Sequence, residues 1–194
     1  MIKKIVLLFV VLGLVGGGFF YWWQNQADVR ELNKTLPEGI RVEKSLFEEE
    51  YKVVNHIDGY EFKIPPEWKG VKEVEYVPES EFEYLKREKA EEVKITAIYV
   101  EGEGGYAESI SIDLYKLKQQ PSGLKLWAQN LFQDMGLEGE FTEEDIGGFK
   151  TVKTQENIHL GGTHIYFLEN NLKIYVFNGW SIEFIEYIIA NGKW

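Results

Sequence analysis

The chain has 194 residues, 44% of them hydrophobic and 15% aromatic, and a formal charge of −11 at pH 7. Those proportions describe a folded, strand-rich protein rather than a disordered one, and the acidity makes phosphate backbones and anionic lipid poor partners. There is no cysteine, which excludes lipid attachment through a cysteine, disulfides, thiol catalysis and thiolate metal sites.

Residues 5–23 form an apolar run without a charge, directly behind Lys3 and Lys4. Nineteen residues at 1.5 Å each span about 28 Å, the thickness of a bilayer's hydrocarbon core. Tyr21, Trp22 and Trp23 stand at the far end, where aromatic rings with a polar edge favour the headgroup region. The expectation is one N-terminal transmembrane signal anchor, with a cytoplasmic stub at 1–4 and the rest of the chain outside the cell membrane. A cleaved secretory signal shares the basic start and apolar run and stays open beside it, with Gly16 to Gly18 as the small residues for cleavage.

Residues 24–50 are polar, contain Pro37 and Gly39 and end in acids, so they read as a linker, with a short helical continuation of the anchor to Leu32. The folded domain is expected at 51–194. Two short apolar runs around Asp58 and Gly59 suit a hairpin, Pro65 and Pro66 stop its second strand, and Trp68 follows as a large apolar plug. Residues 71–77 alternate as an edge strand does. Ser80 and Glu83 match a capping box, and Phe82, Leu85 and Lys89 suit a short helix or an irregular excursion.

Residues 93–100 and 109–117 are the clearest strands, Ile110, Ile112 and Leu114 alternating with Ser109, Ser111 and Asp113. The glycines after Glu101 lack the spacing of a phosphate loop and read as a hairpin connection. A helix is expected over 122–135, capped by Ser122 and closed by Gly136, with Leu124, Trp127, Leu131 and Met135 on its buried stripe. An acidic loop follows at 138–145, then a strand over 148–155.

Residues 163–169 and 172–178 make the strongest hairpin, turned at Asn170 and Asn171, with Tyr166 facing Tyr175 and Phe167 facing Ile174. Apolar groups on both sides place it in the middle of a sheet covered on both faces. The final helix is capped by Ser181, with Trp180 positioned to staple onto Ile185 and with Ile182, Ile185, Ile188 and Ile189 on its buried stripe.

Several stretches carry a family resemblance: the run from Gly59 through Tyr60, Phe62, Pro65 and Pro66 to Trp68, the Ile146-Gly-Gly-Phe-Lys150 segment, the Tyr166/Tyr175 hairpin, and the closing helix from Glu183 to Ile189. Together they resemble the Mog/PsbP superfamily, in particular its membrane-attached bacterial PsbP-like members, over 51–194. The resemblance implies an α+β fold, a three-layer α/β/α arrangement around a central antiparallel sheet, and a non-catalytic domain that binds or stabilises another protein. The ending Ala190-Asn-Gly-Lys-Trp194 departs from the family pattern.

Chemistry-bearing residues are few. His159 and His164 flank a Gly161-Gly162 turn and, with Glu156, are the candidates for a metal site. Glu143, Glu144 and Asp145 in the acidic loop are candidates for Ca²⁺, although the loop lacks the ligand spacing of an EF-hand. In each case a solvated surface group is the competing reading. No catalytic residue, cofactor or nucleic acid is expected. The function expected is membrane-anchored binding of another envelope protein, with a small-ligand or cation-binding module as the alternative and an anchored hydrolase behind both.

Overall fold

A computed structural model describes residues 2–45, 50–68, 70–78, 90–101, 107–154 and 163–194, with side chains from Val11 in the first helix and from Ser109 in the sixth strand. The capping-box segment 80–89, Glu156, His159 and the Gly161-Gly162 turn lie outside the described residues. The fold is α+β with two antiparallel sheets. A small sheet holds β1 (Ile40–Lys44), β2 (Tyr51–Asn55) and β3 (Tyr60–Lys63) in that order. A larger sheet adds β4 (Val71–Val77), β5 (Glu92–Glu101), β6 (Ala107–Lys116), β7 (Phe141–Ile146), β8 (Phe149–Thr154), β9 (His164–Asn170) and β10 (Lys173–Gly179). Its order is β4-β5-β6-β10-β9-β8-β7. The helices are α1 (Ile2–Asn25), α2 (Ala27–Thr35), α3 (Leu124–Asp134) and α4 (Ile182–Asn191).

The large sheet separates two apolar clusters. On one face Ile98, Ile112, Tyr166, Leu168, Tyr175 and Phe177 meet the small sheet and α4. On the other, Val93, Tyr115, Phe167, Ile174 and Val176 meet α3. The central hairpin supplies both clusters because successive strand residues point to opposite faces. Its turn falls one residue later than expected: Asn170 pairs with Lys173, and Asn171 adopts φ 57°. Tyr166 therefore lies opposite Phe177, and Phe167 opposite Val176, rather than opposite Tyr175 and Ile174. Moving the turn by one residue shifts the pairing by two, so every side chain keeps its face and the burial pattern survives the change of register.

Two segments expected to be irregular contain strands. Within the linker 24–50, the expected helical continuation is present as α2, and the rest includes β1, which pairs with β2 from Ile40↔Asn55 to Lys44↔Tyr51. Val29 and Val42 are buried in the core. The acidic loop 138–145 becomes, from Phe141 onward, the edge strand β7, paired with β8 around Gly147 and Gly148, both at positive φ. A Cβ on Gly147 would overlap the backbone of Ala190, so this turn sits directly against the end of α4. Acids on an edge strand also discourage pairing with a foreign strand, and that is the physical sense of an acidic β7.

Helix ends follow local chemistry with two departures. Ser181 Oγ accepts from the Phe184 amide at 3.1 Å, as an N-cap should. Trp180, however, is 55% exposed rather than folded under the helix as a staple, and Ile182 is on the exposed side while Phe184 joins the buried stripe. In α3 the N-cap position is Gly123 and no side chain caps the helix, so Ser122 falls one residue too early. Burial of Trp127, Ala128, Leu131 and Phe132 holds that helix in place, each large side chain contributing about 1.5–3 kcal/mol.

The chain ends in an aromatic plug. The Trp194 ring stacks on Tyr60 and Phe62, each at 5.7 Å, and meets Tyr175 and Phe177 edge-on at 5.3 and 4.9 Å. Glu61 and Lys193 exchange backbone hydrogen bonds of 3.0 and 2.7 Å, so the last residues extend the edge of the small sheet.

Candidate functional site

The structure separates the carboxylates expected to act together. Strand alternation puts Glu143 and Asp145 on the α3 face of β7, exposed, and Glu144 on the opposite face. There Glu144 pairs with Lys153 at 2.6 Å. Lys153 lies over the Tyr166 ring, whose hydroxyl donates to Glu186 at 2.9 Å. The three acids do not converge on one point. His164 opens β9 opposite Gly179, and among the described residues no group of three His, Asp or Glu side chains could hold a metal ion.

The N-terminal helix is joined to the domain without a flexible break. The Gln26 amide donates to Trp22 O at 3.1 Å and the Arg30 amide to Gln26 O at 3.0 Å, carrying helical bonding from α1 toward α2. The Arg30 guanidinium lies 3.6 Å from the Trp23 ring centroid and donates to Trp23 O at 2.7 Å. On its other side α2 is bonded to β1: Asn33 Nδ2 donates to Val42 O at 2.8 Å, and Val42 N donates to Asn33 Oδ1 at 2.7 Å. Gln26 Nε2 donates to Lys44 O at 3.0 Å, and Tyr51 Oη to Asp28 Oδ2 at 2.8 Å. Asn33 thus satisfies an edge that β1 would otherwise leave open. In α1, Leu14, Val15, Phe19, Phe20 and Tyr21 are all largely exposed. Over the described side chains, which in α1 begin at Val11, no helix is long and apolar enough to cross a membrane.

A polar seam runs between the two sheets. Asp58, in the turn after β2, accepts from Lys94 Nζ of β5 at 2.9 Å and from Asn55 Nδ2 at 2.9 Å. Its own amide donates to Asn55 Oδ1, and Lys173 Nζ donates to its carbonyl. Beside it the Tyr60 hydroxyl donates to Thr96 Oγ1 at 2.6 Å, and burial pushes the phenol up to about 12. These groups satisfy one another across the interface, which is the chemistry of a staple between layers.

The α3 face holds a second polar feature. Since α3 packs on β7, β8 and β9, it leaves the β5–β6 side of that face to a groove of about 180 Å³ lined by Tyr99, Ser109, Ser111, Asn178 and Trp180. Asn178 Oδ1 is buried there without a hydrogen-bond partner among the described residues. Ser111 hydrogen-bonds the Asp113 carboxylate, the next side chain on the same face of β6. Across the sheet Asp113 stands between Ile95 and Val176. Asp113 is half-buried, and desolvation at that position pushes its carboxyl up to about 7, against the opposing pull of the Ser111 hydrogen bond.

A raised carboxyl pKa means that the folded chain holds this proton over a pH range in which the unfolded chain has released it. The associated stability is full below about pH 4 and is lost as pH rises to about 7. Denaturant titrations of Asp113→Asn are expected to lack this decline and, at pH 8, to show roughly 1–2 kcal/mol more stability than the parent, less than the full shift because the half-buried carboxyl is partly screened by solvent. Equal pH profiles for the two chains would count against a raised carboxyl at Asp113.

In the sequence Ser109, Ser111 and Asp113 alternate with Ile110, Ile112 and Leu114, and Trp180 stands where a staple would. The available signal was that these polar groups interrupt a strand next to a hairpin apolar on both faces. Comparison with known protein families, with curated proteins and with solved structures finds no match to this chain.

Proposed function

We propose that the chain is a single-pass membrane protein whose extracytoplasmic domain binds another envelope protein, without catalysis, from a fixed position at the membrane surface. The observation that carries this reading is α1 itself. Its apolar side chains are exposed along the described part of the helix, while its end is bonded through Arg30 and Gln26 into a domain-docked α2. A helix apolar all round is at home in lipid. All 24 residues of α1 would measure about 36 Å, enough for the charge-free run 5–23 to cross with the Tyr21, Trp22 and Trp23 belt at the outer headgroups. Lys3 and Lys4 would then hold the N-terminus in the cytoplasm.

Because α2 follows without a free linker, the domain would be presented at a set height and angle. Such positioning suits assembly with a neighbour better than a search for diffusing substrate. The acidic surface favours a basic face on that neighbour. The PsbP-like three-layer arrangement belongs to the same proposal, supported by α3 and α4 packing against opposite apolar clusters of the large sheet.

The test uses the full chain in cells. It should stay with membranes after an alkaline carbonate wash, and protease should digest its domain in spheroplasts but not in inverted vesicles. Release by carbonate, or the opposite protease pattern, refutes the anchor. A photo-crosslinking residue at Glu143 or Asp145, and at other exposed positions in turn, should capture one discrete protein adduct. Capture of none across the whole surface refutes the protein-binding half.

A further inference from the structure

The α3 face of the large sheet is covered on one half and open on the other. α3 packs on β7, β8 and β9, and there Val152, Ile165 and Phe167 are buried. On β4, β5 and β6 the same face presents three cross-strand rows: Val77, Ile95 and Asp113; then Glu75, Ala97 and Ser111; then Glu73, Tyr99 and Ser109. Each of these side chains is exposed or half-buried. Val74, Ile98, Ile110 and Ile112, which point the other way from the same strands, are all buried. Trp180, more than half exposed, stands at the Tyr99 end, where the two rings line the groove of about 180 Å³.

The open strip has the width and the chemistry to seat one helix. Three strands about 4.8 Å apart are about 10 Å wide between their outer axes, and an α-helix with its side chains is about 10–12 Å across. α3 itself shows the ratio, one helix on three strands. A sheet face offers side chains rather than backbone groups, so whatever covers it must satisfy its own hydrogen bonds, as a helix does. Ala97, Ser109 and Ser111 are small and keep the middle of the strip low, while Tyr99 and Trp180 are side chains of the kind that anchor interfaces. The charge is one-sided. Glu73 and Glu75 lie exposed along β4, and Asp113 stands at the far border on β6. Lys72, next to Glu73, is paired with Glu101. A second copy docking through the same strip would set acids against acids, whereas a helix whose apolar stripe is flanked by Lys or Arg meets them with opposite charge.

Building on envelope-protein binding as the function of the domain, we infer that the β4–β6 strip is its docking surface and that it receives a basic amphipathic helix of the neighbouring protein. That helix completes the layer that α3 begins. Ile95, Ala97 and Tyr99 meet its apolar stripe, Trp180 closes one end, and Glu73 and Glu75 pair with its Lys or Arg side chains.

The experiment places p-benzoylphenylalanine in the full chain, in cells, at Val77 or Tyr99 on the strip and at Arg41 or Leu172 away from it, all four lying outside the buried core. Irradiation should give one adduct with a different protein from the strip positions. Mass spectrometry of the crosslinked peptide should find a partner segment rich in Lys or Arg, with apolar residues at helical spacing. Glu73→Lys combined with Glu75→Lys should cut the adduct about tenfold or more while the melting transition stays, and the same charge change at the exposed Glu38 and Glu140 should cut it less than about twofold. Trp180→Ala should also reduce it. Adducts from Arg41 or Leu172 alone would overturn the docking surface and leave protein binding standing, whereas no adduct at any exposed position would remove both. An acidic or strand-patterned partner segment, an adduct with a second copy, a link within the same chain, or indifference to the Glu73 and Glu75 reversals would each overturn the assignment. If the double lysine variant does not fold, Glu73→Gln with Glu75→Gln decides, with an expected loss of about threefold or more.

Discussion

Asp58→Ala is expected to lower the stability of the fold by about 3 kcal/mol, through a mechanism distinct from a simple cavity. The Asp58 side chain is 2% exposed and Lys94 is 20% exposed, so the substitution leaves an ammonium at the sheet interface without its closest partner. Glu92, at 3.6 Å from Lys94, recovers part of the loss, so the expected cost sits at the low end of the roughly 3–5 kcal/mol seen when a buried pair is broken. Asn55 also loses its acceptor, and the turn that Lys173 holds against β10 loosens.

The pH dependence identifies the cause. Burial lowers the Lys94 pKa, but the hydrogen bond and charge of Asp58 outweigh it and hold the ammonium above its ordinary value. The contribution is therefore fully present below the ordinary lysine pKa and lost as pH rises through the raised one. Denaturant titration should find a constant gap between Asp58→Ala and the parent from pH 7 to 9, narrowing above about pH 10.5. A gap that stays the same at high pH would mean that the loss is one of packing and not of charge pairing.

Trp194→Ala is expected to cost about 3 kcal/mol, toward the lower end of the roughly 3–5 kcal/mol for emptying a large aromatic site, because the indole is only partly buried. Its ring touches β3 through Tyr60 and Phe62 and β10 through Tyr175 and Phe177. Its Nε1 donates to Ile189 O of α4 at 3.2 Å. One side chain thus ties the small sheet, the large sheet and a helix together. At about 2–4 °C per kcal/mol for a protein of this size, the melting midpoint should fall by about 6–12 °C. Trp194→Phe, which keeps most of the ring contacts, should recover more than half of that. A shift under 2 °C for the alanine variant would show that the terminal indole is not part of the cooperative fold.

Local sequence marks these two positions to different degrees. Asp58 is half of a turn signal and sits in that turn, but its ion pair with Lys94 joins residues 36 apart in sequence. Nothing in a local pattern marks that distance. In the sequence Trp194 is only a departure from the family ending, and its contacts with Tyr60 and Phe62 need the first hairpin and the last residues to meet. The candidate site shows the same limit. Glu143, Glu144 and Asp145 are consecutive enough to suggest a shared ion, yet a strand turns neighbours to opposite faces. Ser109, Ser111 and Asp113 have the alternation of any half-exposed strand, whereas their place beside a partly covered sheet face depends on where α3 packs.

What the sequence determined by itself was whatever depends on a residue and its near neighbours. This includes the apolar N-terminal helix, the strands around Asp58-Gly59 and the asparagine turn, the Ser181 cap, and the assignment of Tyr166 and Phe167 to opposite faces. Period, turn chemistry and capping act within a few residues and hold in any surroundings. Tertiary structure alone decided that residues of the linker form β1, that acids form the edge strand β7, that Asp58 pairs with Lys94, and that Tyr99, Ser111, Asn178 and Trp180 line one groove. Each of those outcomes depends on which distant strand supplies hydrogen bonds and which element covers a face. Polar segments gain order from such partners rather than from their own hydrophobic pattern.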